Sequence, residues 1–470
     1  MDIIENNKRL EDLDKAHIWH PFTQMKDWIN DAPIVIAEGR DCFIKDTYGI
    51  WYLDGVSSLW VNIHGHGKKE INDALIKQLT HISHSTLLGL ANVPSTELAG
   101  KLVSLISERL KTDKLNKVFY SDNGSTAVEA ALKMAFQYTQ HTKKCADDAL
   151  FVTLENGYHG DTIGAVSAGG IDLFHKTYSP LLFKTVKAPS PYCFNCSHGV
   201  VSSQTDTPSK YRCNAEGEFP CLRELRHILE SQGKVAAVLV EPLIQAASGM
   251  ITSPVGYLKG VRDLCTEFDT LLIADEVATG FGRTGNMFAC ELESVVPDIL
   301  CLSKGITGGY LPLAVTIATE NIYNAFLGEF AEKKTFFHGH SYTGNQLGCA
   351  AALASLEIFE KEHVLDNLKP KIKILRDWLN SIFNHPNVGD VRVCGMMAGV
   401  ELIKNKASME PFGFEEKAGW QVAYEARKRS VFIRPLGNVL VIMPPLSISE
   451  ENLSAMLIRI EKSICGLFHC

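Results

Sequence analysis

Apolar runs of four to six residues recur along this chain, and several stop abruptly at a charged or polar residue. Leu271-Leu272-Ile273-Ala274 ends in Asp275-Glu276, Ile299-Leu300-Cys301-Leu302 ends in Ser303-Lys304, and Val235 to Val240 ends in Glu241. Phe151 to Leu154 runs into Glu155-Asn156-Gly157-Tyr158, and Val118-Phe119-Tyr120 into Ser121-Asp122. Continuous apolar runs of this length predict strands buried on both faces. Between them the spacing becomes helical, from Lys69 to Leu110 with interruptions at Gly89 and Pro94, and again after Thr126, where Val128, Ala131, Leu132, Ala135 and Phe136 share a face. Strands alternating with helices predict an α/β fold with a doubly wound sheet. Its polar strand ends would collect along one edge, where open sheets gather ligands.

The two ends of the chain read differently. Ile34 to Ala37, Cys42 to Asp46 and Trp51 to Asp54 predict short antiparallel strands joined at Gly39 and Gly49. Val388 to Leu402 and Val431 to Met443 alternate between strand and turn signals. The expected division is a large domain over residues 67–335 and a smaller α+β domain that combines 1–66 with 336–470. The segment HIWHPFTQMKDW, residues 17–28, is expected to be an ordered arm.

Composition narrows the class. With 470 residues, of which 46% are hydrophobic, the chain has ample core for two domains. A net charge of -8 and the lack of a long Lys/Arg run argue against nucleic acid as the main partner. No run approaches the ~20 apolar residues of a membrane span, and the charged start MDIIENNKRLEDLDK does not resemble a secretory signal, so a cytoplasmic location is expected. Thirteen dispersed cysteines are then expected to be reduced thiols. Cys193, Cys196, His198, Cys213 and Cys221 make a weak zinc pattern because the second Cys pair is too widely spaced. His64 and His66 lack a third ligand nearby, and no metal site is expected.

The chemistry concentrates at Asp275 and Lys304. A lysine delivered by an apolar strand to a Gly-rich turn, and a carboxylate at the end of another strand, suit pyridoxal phosphate: the amine holds the aldehyde and the acid keeps the pyridine nitrogen protonated. A free lysine has a pKa of ~10.4, so a nucleophilic lysine must be partly desolvated or already condensed with an aldehyde, and the apolar approach to Lys304 serves either. Gly124-Ser125 ahead of a helix, with Thr126 and Glu129 at capping-box spacing, offers backbone N–H groups to a phosphate. Tyr158 and Asp161, on a Gly-bounded loop, are placed to stack on and orient a flat ring.

SDNGSTAVEAALKMAFQY, NGYHGDT, EPLIQAASGM, IADEVATGFGRTG, SKGITGG and HGHSYTGNQLGCAAA together resemble the signature blocks of the class III pyridoxal-phosphate aminotransferases, along almost the whole chain. The resemblance implies fold type I, with a mainly parallel seven-stranded sheet, and a homodimer with shared sites acting on small-molecule substrates. HIWHPFTQMKDW, IRPLG and MPPL resemble the biotin-pathway branch, which converts 8-amino-7-oxononanoate to 7,8-diaminononanoate. Carried over by position, Lys304, Asp275 and Tyr158 would be catalytic. Gly124, Ser125, Tyr158, Glu241, Asp275, Lys304, His340 and Ser341 would hold the cofactor, with Ser341 reaching the phosphate of the other subunit. Phe22, Leu59, Trp60, Asp161, Gly339 and Arg434 would line the substrate site, Arg434 receiving the carboxylate of the keto substrate. Phe22 stands where S-adenosylmethionine-using members carry tyrosine, and Leu59-Trp60 where they carry Trp-Trp. These departures lean the expected amino donor toward L-lysine rather than S-adenosylmethionine. A broader ω-aminotransferase acting on ornithine, 4-aminobutyrate or diamines is the alternative.

Overall fold

The structure, a computed structural model, describes residues 3–143, 149–196, 200–202, 211–213 and 218–468. Seven strands form the central sheet: β1 (Leu115–Ser121), β2 (Leu150–Leu154), β3 (Val186–Ala188), β4 (Val235–Val240), β5 (Leu271–Asp275), β6 (Ile299–Leu302) and β7 (Ala314–Thr319). Their order across the sheet is β1-β7-β6-β5-β4-β2-β3. Only β7 runs against the rest, pairing antiparallel with both β1 and β6. The expected mainly parallel seven-stranded α/β architecture is therefore present.

Alternation along β5 shows why a continuous apolar run is needed. Ile273 points to a layer built by Ala127, Val128 and Ala131 of helix α1 (Gly124–Lys143). Leu272 and Ala274 point to the other face, covered by Leu102 and Ile106 of helix Val93–Leu110 and by Val261 and Leu264 of helix Tyr257–Glu267. Successive residues on a strand face opposite sides, so a strand sandwiched between helix layers has no side on which to place a polar residue until it ends. In β5 charge consequently appears only at the carboxyl end of the strand, at Asp275, and after β6 at Lys304.

Smaller sheets join the ends of the chain. Ile36–Arg40, Phe43–Asp46 and Trp51–Asp54 form an antiparallel meander, and Val431–Phe432 adds to Trp51–Asp54 in parallel. Gly49 turns with a φ of 87°, as expected. Gly39 does not turn: it pairs with Ile44 inside the first strand, and the reversal occurs at Asp41, whose φ is 53°. Pro94 likewise begins helix Val93–Leu110 instead of interrupting one, because a proline in the first turn loses no helical hydrogen bond. At the other end, Val388–Cys394 pairs with Met397–Asn405, which also pairs with Val439–Ile442. In the arm, His20 and Trp28 both bond Asp14, while Trp19 is 88% exposed.

A buried guanidinium ties these pieces to the large sheet. Arg283, in the loop after β5, is 1% exposed and donates Nη1 to the Pro444 carbonyl at 2.7 Å and Nη2 to the Asn62 carbonyl at 2.8 Å. Burial pushes its pKa down to about 9, with Asp54 pulling the other way. Among the described residues no helix is long and apolar enough to cross a membrane. Among the described residues ten cysteines are free thiols and Cys465 is disulfide-bonded, an exception to the expected reduced set.

The sheet's tolerance is testable at Ile273, which is 0% exposed. Ile273→Ala is expected to lower stability by about 2–5 kcal/mol, the usual range for deleting a large aliphatic side chain from a close-packed core. A fall in the urea midpoint with an unchanged slope is the expected reading.

Candidate functional site

Asp275 and Lys304 leave adjacent strands, β5 and β6, on the same edge. Asp275 is 4% exposed; its Oδ1 accepts from the Val277 N–H at 3.1 Å and its Oδ2 lies 2.7 Å from His159 Nδ1. The other ring nitrogen of His159, Nε2, is buried without a partner. Lys304 begins a single 3-10 turn, Lys304–Thr307, with a φ of 44°, and Gly308 and Gly309 follow with φ of 64° and 89°. Burial pushes the Lys304 amine below its ordinary pKa, while Asp275 and Glu241 pull it back and Arg283 reinforces the fall.

Trp60 sits against that amine, with Lys304 Nζ 4.9 Å from its ring centroid. The turn that presents it is backbone-strained: Ser57, Ser58 and Trp60 have φ of 52°, 62° and 65°. Non-glycine residues held there cost of order 1–3 kcal/mol each, so other contacts must fix them. Asp54 supplies those contacts, accepting from the Val56 N–H at 3.2 Å and the Ser58 N–H at 2.9 Å, while His66 bonds its Oδ2. Leu59, on the same turn, is 53% exposed.

Gly124 and Ser125 open α1 as expected, but the cap differs. Asn123, not Thr126, accepts the capping N–H, from Thr126 at 3.1 Å, and Glu129 turns away to accept from Gly164 and Ala165 of helix α2 (Ile163–Ala168). The capping box does not form because Glu129 is committed to a second helix start. The first-turn donors of Gly124 and Ser125 have no carbonyl within the helix to reach. A Cβ on Gly124 would lie 2.5 Å from Val277 Cγ1, and one on Gly160, whose φ is 119°, would lie 2.3 Å from Ser125 Oγ. The Ser125 hydroxyl is 2.7 Å from that of Thr162. Two strand-end loops thus close on the helix start so tightly that only glycine fits.

Glu241 does not project as a free carboxylate. Its Oε1 accepts from the Tyr158 N–H and its Oε2 from the Ala246 N–H, each at 3.0 Å, and burial pushes its pKa up to about 7. It positions the loop that carries Tyr158. The Tyr158 hydroxyl donates to Asp161 at 2.8 Å, and burial raises its pKa. Its ring meets Phe174, whose ring meets Phe22 at 5.2 Å, and Arg434 Nη2 donates to the Phe22 carbonyl at 2.7 Å. A single line of contacts therefore joins Arg434, Phe22, Tyr158 and Asp161.

Gly339, His340 and Ser341 lie apart from this line. His340 Nδ1 is 3.1 Å from Asp122, and the exposed Ser341 offers its carbonyl to His84 at 2.7 Å. His64 and His66 face different partners, Ser355 and Asp54. His198 lies outside the described residues; among the described residues no group of three or more His, Cys, Asp or Glu is arranged to hold a metal ion. His159 and Phe174 were not singled out by the sequence, although His159 adjoins Tyr158 on the same loop.

A family model, Aminotransferase class-III, matches residues 25–464. Adenosylmethionine-8-amino-7-oxononanoate aminotransferase of Geobacter sulfurreducens is 53% identical, with 98% of each chain covered. The enzyme of that name from Aquifex aeolicus is 50% identical, covering 95% of each. The crystal structure of the Methanocaldococcus jannaschii enzyme of that name superposes with a TM-score of 0.89 at 45% identity, over 98% of this chain and 99% of that one. A thermostable omega transaminase 6-fold mutant from Pseudomonas jessenii gives 0.88 at 26% identity, over 97% and 98%. The paired lysine and carboxylate at adjacent strand ends thus coincide with near-full-length similarity, and the chain belongs to the class-III aminotransferases, a family whose members depend on pyridoxal phosphate.

Proposed function

We propose that this chain is a pyridoxal-phosphate aminotransferase that converts 8-amino-7-oxononanoate to 7,8-diaminononanoate in biotin synthesis. The observation that carries the reading is the pairing of a desolvated lysine with a buried carboxylate on adjacent strand ends, in a chain about half identical to enzymes named for that substrate. The residues fit the cofactor. The start of α1 has N–H donors that the helix itself leaves over, beside positions where a Cβ would clash, which suits a phosphate. Asp275 presents a buried carboxylate suited to a protonated pyridine nitrogen. When bound, pyridoxal phosphate supplies an aldehyde and an electron-accepting ring.

The protein's own groups do the rest. With its basicity lowered, Lys304 Nζ stays neutral at lower pH than a free lysine; it would hold the cofactor through its aldehyde and would serve as the base that takes up and returns the proton of the substrate Cα. His159 fixes the Asp275 carboxylate, and Trp60 walls the amine from water. Tyr158 covers the ring, and Asp161 fixes its hydroxyl. Arg434 commits part of one guanidinium edge to Phe22 and keeps further donors for the acceptor's carboxylate.

The enzyme acts as a homodimer in the cytoplasm, with Ser341 from each chain completing the other's phosphate cup. The exposed Ser341, and a groove of about 760 Å³ bordered by Ile82 and Val93, support that assembly. The domains divide at about residues 66 and 335. The donor is S-adenosylmethionine, which the names of the relatives carry. Phe22 favours lysine as the second reading, since its ring lies against Phe174 and brings no hydroxyl to a polar ligand.

Donor choice is decided by mixing the holoenzyme with each candidate and following the bound cofactor's absorbance: S-adenosylmethionine should convert it to the amine form, and conversion by L-lysine alone would establish the second reading. Arg434→Ala should raise KM for 8-amino-7-oxononanoate by about 100-fold, the scale of a charge-assisted hydrogen bond worth ~3 kcal/mol, with a smaller change in kcat. Lys304 carries a pH signature. Between its depressed folded value and the ordinary 10.5, the unfolded chain binds more protons, so stability rises with pH across that window. Lys304→Met should raise the melting temperature of the cofactor-free protein most below the folded value, the gain shrinking as pH climbs to 10.5.

A further inference from the structure

Arg392, on strand Val388–Cys394, is 1% exposed and every one of its nitrogens has a partner. Nη1 donates to Asp390 and to the Tyr192 hydroxyl at 3.1 Å each, and Nη2 to Glu401 at 2.6 Å. Its Nε donates, at 3.0 Å, to the carbonyl of Gly249. Gly249 lies in the turn of a small hairpin, Ile244–Gln245 against Ile251–Thr252, that belongs to the large domain. Two carboxylates thus hold the guanidinium, and the guanidinium grips a backbone turn on a separate element.

That turn is in direct contact with the loop of the proposed site. Ala246 N–H donates to Glu241, which also accepts the Tyr158 N–H; Gln245 Nε2 donates to the Glu155 carbonyl at 2.8 Å, and Ser248 Oγ to the Asn156 carbonyl. Two direct bonds and a bridge through the Glu241 carboxylate therefore tie residues 245–248 to 155–158. The fit on the Arg392 side is close: Gly249 has a φ of 98° and a Cβ there would lie 2.9 Å from Val439 Cγ2, while a Cβ on Gly399 would lie 3.2 Å from the Gly249 carbonyl.

We infer that Arg392 is a positioning residue for the reaction, holding Tyr158 over the cofactor ring through the Gly249 turn and Glu241. The inference rests on the reading that Tyr158 covers the ring. Arg392 touches neither ring nor substrate; it fixes the support on which Tyr158 stands. A covering aromatic must be held to a fraction of an ångström, and a loop alone does not provide that. Arg392 provides it from a strand of a different sheet.

Replacing Arg392 alone would leave Asp390 and Glu401 buried and unpaired, so the test removes the charges together. The triple variant Asp390→Asn, Arg392→Met, Glu401→Gln is compared with Tyr158→Ala and with the combination, all as holoenzymes. Far-ultraviolet circular dichroism checks the fold. The triple variant should lose at least half of the visible circular dichroism of the bound cofactor and weaken pyridoxal phosphate binding about tenfold, the scale of losing a supporting shell. Tyr158→Ala should act in the same direction, and adding it to the triple variant should cause little further loss, because both disable one device. Gly249→Ala, which pushes the turn off Arg392 without altering a charge, should reproduce the effect and serves if the triple variant does not fold. A cofactor signal and affinity unchanged within twofold in the triple and Gly249 variants, or effects that simply add to that of Tyr158→Ala, would overturn the inference. An unchanged signal in Tyr158→Ala itself would remove the ring-covering reading, and this inference with it.

Discussion

Taking an amine out of water is costly unless a neighbouring charge compensates, and Lys304 is taken out of water at the end of an entirely apolar strand. The groups around it determine what form it adopts. Asp275 and Glu241 favour the ammonium, whereas burial and Arg283 favour the neutral amine, and burial dominates. That balance weakens the amine as a base, and it is set by elements far apart in sequence: two central strands and the loops that carry Glu241 and Arg283. The apolar sheet is the means by which a weakened base is obtained.

Rigidity around the amine comes from charged groups used as struts. Asp54 steadies a strained turn, Glu129 accepts from a neighbouring helix start, Glu241 accepts from two loops, and Arg283 spans two distant carbonyls. Each is committed to backbone groups and so orders main chain more than it pairs charge. Buried charges of this kind add little net stability, but they penalise any rearrangement that would leave them unpaired. The site's geometry is therefore specified more sharply than its stability would require.

Asp275 and Lys304 were legible because an apolar run that stops at a charge, in a parallel sheet, sets that charge on the edge where ligands gather. The start of α1 was legible from Gly124-Ser125, although the cap itself was misplaced: local spacing favoured Thr126 with Glu129, and the tertiary demand of Gly164 and Ala165 took Glu129 away. Strand β7, Ala314–Thr319, was not singled out, since its antiparallel direction is fixed by the pairing with β1 and β6 rather than by its own residues. The bond between His159 and Asp275 spans 116 residues, and no periodicity reports such a distance. Glu241 was legible as an acid at a strand end, but the N–H groups of Tyr158 and Ala246 that it braces were not, since one of them lies 83 residues away.

Trp51–Asp54 pairs with Val431–Phe432, and Arg283 holds Asn62 and Pro444 at once. The strained turn of Trp60, which walls the amine, thus gains its final supports only from residues near the end of the chain. During synthesis the central sheet can assemble while Val431 to Pro444 are still inside the ribosome, yet the Trp60 side lacks these supports until they emerge. The emergence of these residues, and not sheet formation, then sets the earliest moment at which a nascent molecule can close the wall beside Lys304.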